Sequence, residues 1–174
     1  VFAVKYFGYG SFSFNLFLFL HIVCAIIGFG GVMLNGVYAS RAKKLPPAEA
    51  LAVMEVNTFV SLNIAEYFIY ATLGLGLALV GLSDTTFRFS QTWVSVSCLV
   101  YVVALAVSVR GLQPAVRTML AVQRELVESP EGPEVATRAE QAARLEKRIG
   151  MYSGVLHLAL AVIIVMMIWK PGFP

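Results

Sequence analysis

Leu16 to Tyr38 reads LFLFLHIVCAIIGFGGVMLNGVY. A helix crossing the hydrocarbon core of a bilayer needs about 20 mostly apolar residues. This stretch meets that length and predicts a membrane span. One titratable ring, His21, sits well inside it, and the run Gly28-Phe29-Gly30-Gly31 follows two helical turns later. A polar ring in hydrocarbon needs a partner. A glycine patch on the same helix lets another helix, or a flat ligand, come close.

The rest of the composition agrees with a membrane protein of one domain. Of 174 residues, 59% are hydrophobic and 13% charged, against about 25% charged in soluble domains. Mean hydropathy is +0.79. Cys24 and Cys98 both fall inside apolar spans and do not suggest a disulfide framework. Val1 to Gly10, rich in Phe and Tyr, predicts an interfacial lead-in rather than a cleavable signal. The lack of an initiating Met suggests that a residue or more precedes Val1.

Working outward, four spans are expected, at about 12–38, 58–82, 92–109 and 151–169. Pro46 and Pro47 break the chain after the first, and a new helix starts near Ala48. A polar segment, 111–150, separates the last two spans. It predicts two cytoplasmic helical extensions interrupted at Ser129-Pro130-Glu131-Gly132-Pro133-Glu134. Ten cations fall on one side: Arg41, Lys43, Lys44, Arg110, Arg117, Arg124, Arg138, Arg144, Lys147 and Arg148. Three fall on the other: Lys5, Arg88 and Lys170. Positive charge stays in the cytoplasm, so both termini are expected outside it. The fold class expected is all-α: an up-and-down bundle of four transmembrane helices in a bacterial cytoplasmic membrane.

The polar groups within the spans are His21, Asn35, Asn63, Glu66 and His157, with the softer Cys24, Cys98, Met166 and Met167. Histidine is a common axial ligand of haem iron. His21 and His157, on different helices, could ligate one b-type haem or serve separate roles, with Gly28 and Gly31 admitting the porphyrin face. The leading expectation is therefore a redox subunit binding haem b or a related tetrapyrrole within a larger membrane complex. A cofactor-free accessory subunit is the alternative, in which each histidine only hydrogen-bonds a carbonyl or Glu66. Copper handling is a third, because His21 and Cys24 share a helix face and thiolate, thioether and imidazole together suit copper(I). Glu66 is a candidate proton acceptor paired with His157, or a neutral carboxyl bonded to Asn63 or a serine. The cytoplasmic arginines predict topology and lipid contact, not nucleic-acid binding. No nucleophile–histidine set appears in an aqueous segment, so no catalytic residue is assigned.

Leu20-His21-Ile22 followed by Gly28-Phe29-Gly30-Gly31 resembles the copper-resistance-D-like group of small membrane proteins. That group includes copper-uptake components, J-type protoporphyrinogen oxidases and several uncharacterised four-helix families. The ending, His157 through Met166-Met167-Ile168-Trp169-Lys170-Pro171-Gly172, is similar to that of one uncharacterised family within it. Likeness to the J-type oxidases implies a first-span histidine in haem or porphyrin binding, which maps onto His21. Those enzymes also carry a lysine in a later span. This chain has none in the middle of any span, which argues against the oxidase reaction itself.

Overall fold

The computed structural model describes residues 7–172, and the part of the aromatic lead-in before Phe7 lies outside them. The described chain is helical, with no strand. Four helices are long and apolar enough to cross a membrane: α1 (Phe12–Ala42), α2 (Pro47–Leu82), α3 (Thr92–Glu128) and α4 (Val135–Trp169). At 1.5 Å per residue they are about 45–55 Å long, well beyond a hydrocarbon core of about 30 Å. The surplus lies at the end rich in arginine and lysine, termed the basic end. The opposite end, where α1 begins and α4 finishes, is the terminal end.

The helix limits follow from local chemistry. Ser11 caps α1, its hydroxyl accepting from the Phe14 amide at 3.2 Å. Pro47 opens α2 at the first turn, where no amide hydrogen is needed. The helix expected near Ala48 therefore runs on into the second span. The Pro- and Gly-containing 129–134 segment separates α3 from α4, and the two extensions around it are continuous with their spans. Lys170 closes α4 in a left-handed conformation, donating its amide to Met166 O at 3.0 Å ahead of Pro171.

A single turn residue, Leu34, breaks α1 between Met33 and Asn35, and two π-turns interrupt α2 and α3. A π-turn occupies Ser61–Ala65 in α2 and another Ser108–Leu112 in α3. A π-turn takes in one extra residue, so everything after it is rotated by about 100° relative to an unbroken helix. Glu66 and Gln113 are the residues that immediately follow the two π-turns.

The helices associate in pairs. α1 packs along α2 at Gly28 and Gly31. A β-carbon at Gly28 would lie 2.9 Å from the Ile69 backbone nitrogen, and one at Gly31 would lie 2.9 Å from Ala65 Cβ. These glycines therefore admit α2, not the porphyrin face expected of them; the close approach leaves no room for a third body. α3 packs along α4, with Gly111 against the Tyr152 ring. The pairs join at the terminal end through an apolar core of Phe14, Leu79, Phe87, Trp93 and Val94. They join again where Tyr101 donates its hydroxyl to Ile69 O at 2.7 Å. At the basic end, Arg124 meets Glu55 at 2.7 Å and Lys43 pairs with Glu146. Side chains such as Phe19, Leu99, Val102 and Leu158 stand exposed on the outside of the bundle, where the solvent is lipid.

The terminal-end turn is held by Ser83. Its buried hydroxyl accepts from the Phe87 amide at 2.9 Å and donates to Val80 O at 2.8 Å. Asp84 stands exposed beside it. The charge asymmetry predicts that a label on Asp84→Cys reacts with an impermeant thiol reagent from outside intact cells. Ser129→Cys is expected to react only after permeabilisation. Labelling of Ser129→Cys in intact cells would reverse the orientation.

Candidate functional site

Two cavities lie between the helix pairs, one above the other. The terminal-end cavity has a volume of about 730 Å3 and the basic-end cavity about 390 Å3. Both fall within the range of small-molecule sites, about 300–1,000 Å3. Phe29, Met33, Tyr101, Leu160 and Ile163 line both and form the partition between them. Phe29 and Tyr101 meet there edge to face, with ring centroids 6.1 Å apart.

His21 lines the terminal-end cavity and His157 the basic-end cavity. The structure thus separates the two histidines instead of bringing them to one site. Their ring nitrogens are also held differently. His21 Nδ1 lies 2.9 Å from Thr72 O across the α1–α2 interface. A carbonyl only accepts, so Nδ1 carries the proton and Nε2 keeps its lone pair. Gly76 lies beside this ring, where a β-carbon would come within 3.1 Å of Cε1. His157 Nδ1 donates to Ser153 O at 2.7 Å, one turn back on its own helix, and the residue is exposed.

Glu66 accepts from Tyr70 and from Gln113. It does not pair with His157 or with Asn63, the partners expected of it. Asn63 turns outward and donates to Phe59 O at 3.2 Å. The π-turns explain the difference, because each rotates the residue after it away from the face an unbroken helix would give. Ser61, at the start of the first π-turn, donates instead to Asn35 Oδ1 at 3.0 Å. Glu66, Gln113 and Asn35 all line the basic-end cavity.

The family described as "Predicted integral membrane protein (DUF2269)" matches residues 15–171. The chain belongs to that family. Neither a curated protein nor a solved structure matches it. The copper-resistance-D-like resemblance gains no support from these comparisons. A multi-pass integral membrane protein is what the family description and the four long apolar helices jointly establish.

Within this DUF2269 member, the copper candidates are scattered. Cys98 and Met167 line the terminal-end cavity, whereas Cys24 does not, and Met166 packs on the Phe14–Trp93 core. Among the described residues, no three His, Cys, Asp or Glu side chains gather as a metal site.

Two polar groups that sequence reasoning missed lie buried behind the wall of the terminal-end cavity. Trp93 Nε1 and Ser97 Oγ are buried and have no hydrogen-bond partner among the described residues. Their residues are 5% and 3% exposed, and both line the cavity. Leaving such a group unsatisfied costs about 1–3 kcal/mol. The available signal was their i, i+4 spacing on a helix otherwise dominated by Val and Leu, which places both on one face. Thr72 was missed as well, since a backbone carbonyl partner leaves no trace in residue type.

Proposed function

We propose that this protein is a membrane redox subunit that would hold haem b or a related tetrapyrrole in the terminal-end cavity, with His21 as a ligand to its iron. The assembly is an electron-transfer complex of a bacterial cytoplasmic membrane. The observation that carries the reading is the His21–Thr72 hydrogen bond at the wall of the larger cavity. Metal-binding histidines almost always donate the second ring N–H to a carbonyl, carboxylate or water, which fixes the tautomer and the ring orientation. The lining of the cavity fits the group: one imidazole oriented by a carbonyl and largely apolar walls. Bound haem would supply one-electron transfer at a potential tuned by its ligand and surroundings. The chain's own residues orient the imidazole through Thr72, seat its ring against Gly76, and close the cavity floor with Phe29 and Tyr101. One axial histidine is proposed, since His157 lines the other cavity.

The exposed His157 ring favours a second reading. An exposed polar ring at span depth, bonded only to its own helix, is well satisfied by a further protein group. An accessory subunit packed through this face of α4 needs no cofactor of its own. The visible spectrum separates the two. Protein purified in mild detergent from a haem-replete host is expected to show a Soret band and about one iron per chain. A colourless, iron-free protein would overturn the haem reading and leave the accessory one.

A further inference from the structure

The basic-end cavity plays no part in the haem reading, and the charges around it do not balance. Its lining includes Lys43, Glu66 and Glu146, together with the imidazole of His157. Lys43 pairs with Glu146. His157 donates to Ser153 O on its own helix. Glu66 meets only neutral partners among the described residues, Tyr70 and Gln113. It therefore stands in the cavity wall without a cation.

Its position makes that costly. By helical rise, Glu66 lies about 24 Å from the end of α2 at Leu82, inside a hydrocarbon core of about 30 Å. A carboxyl group at such depth needs a partner. Tyr70 and Gln113 both donate to the same oxygen, Oε1. The other oxygen, Oε2, accepts from no described residue. Among the half-buried and buried described residues, the unpaired side-chain atoms closed off from any surface are Trp93 Nε1 and Ser97 Oγ. Glu66 is half-buried, and Oε2 is not one of these atoms, so it is accessible. Gln113 belongs to α3 and lines the same cavity, so the carboxyl reaches across the seam that the cavity occupies.

The surroundings of Glu66 define what could pair with it. One open carboxylate oxygen cannot replace the six or so oxygens that a calcium or magnesium ion takes. Toward the terminal end the lining is apolar, with Ile69, Leu160 and Ile163, and it finishes at the Phe29–Tyr101 partition. Ile69, whose carbonyl accepts from Tyr101, lies one turn from Glu66 in that direction. Charge at one end of the cavity and apolar or aromatic surface at the other suit a molecule built the same way.

We propose that the basic-end cavity binds an amphipathic organic cation, its ammonium paired with Glu66 and its apolar body against the Phe29–Tyr101 partition. The cavity volume of about 390 Å3 admits a small molecule of this class. Aromatic rings in the partition add to the fit, since ammonium groups are also attracted to ring faces. The inference stands apart from the haem reading and uses none of its residues except the shared partition.

The test titrates the full chain in phosphatidylcholine nanodiscs by calorimetry, with empty nanodiscs as the blank. The probes are benzyltrimethylammonium and N-benzylacetamide, a neutral molecule of similar size. Wild-type protein is expected to bind the cation at least about tenfold more tightly, the effect of one desolvated charge pair. Glu66→Gln keeps an oxygen that accepts from Tyr70 and Gln113 but removes the charge. It should lose the preference, its affinity for the cation falling by about tenfold or more. Equal wild-type affinity for the two probes, or binding of neither, would overturn the assignment. So would a Glu66→Gln protein that binds the cation as wild type does. The wild-type comparison needs no variant and decides the matter even where Glu66→Gln disturbs the fold. A colourless protein that binds the cation would remove the haem reading alone, and a haem-bearing one that does not would remove this inference alone.

Discussion

His21→Ala is expected to lower haem retention by at least about 100-fold, because partners one step removed from a metal already cost 10–100-fold when changed. The Soret band should be lost or reduced to that of loosely adsorbed haem. His157→Ala is expected to leave the band in place. This asymmetry follows from geometry. His21 is anchored across a helix interface by Thr72 and lines the larger cavity, while His157 bonds only its own helix and lines the smaller one. Optical spectra of the two variants, purified side by side with matched haem supply, check it. A wild-type spectrum from His21→Ala, or equal losses from both variants, would mean that the ligand has been assigned wrongly.

The second large effect concerns packing. Gly28→Ala is expected to destabilise the α1–α2 pair by about 1–3 kcal/mol, the usual range for forcing extra atoms into a packed interface. Two terms oppose each other. Alanine favours a helix over glycine by about 1 kcal/mol. Against this, the new methyl would lie 2.9 Å from a backbone nitrogen of Ile69 and 3.2 Å from the Ala65 carbonyl oxygen. Backbone cannot swing aside as a side chain can, so the clash wins and α1 must move outward. Gly30→Ala is the control: nothing lies within 4 Å of its added carbon, so only the favourable propensity term remains. Thermal unfolding in detergent should therefore move in opposite directions for two alanines placed two residues apart. Equal shifts would show that α1 and α2 do not meet at Gly28 as described. Gly31→Leu, which drives a larger side chain against Ala65, should be worse than Gly28→Ala.

Much of the architecture could be read from residue order because the bilayer imposes it. Leu16 to Tyr38 is apolar over the length of a span, and its backbone can be satisfied in lipid only as a helix. Pro46-Pro47 and the 129–134 segment mark helix breaks for local reasons that hold in any tertiary setting. The lysine and arginine distribution sorts the loops into two sets without reference to packing. His21 could be singled out for the same kind of reason, since a titratable ring in hydrocarbon is costly wherever its helix packs.

The site itself was decided by the tertiary structure. Similar depth put Glu66 level with His157, but depth does not set direction: Glu66 and Gln113, each following a π-turn, meet instead. One inserted residue rotates all that follows by about 100°, and periodicity read from composition does not register the insertion. Gly28 and Gly31 signalled a close approach without saying by what; the fold fills that space with Ala65 and Ile69 of α2. Trp93 and Ser97 passed as ordinary members of a Val- and Leu-rich span. Their character emerges only when the helix pairs close around a cavity and leave an indole and a hydroxyl without partners. Residue order by itself determined four spans, where they break and two costly imidazoles, His21 and His157, because length, charge and solvation act locally. Which polar groups meet, which stay apart and which are left unsatisfied was decided only by tertiary structure, because those are relations between helices that no single helix encodes.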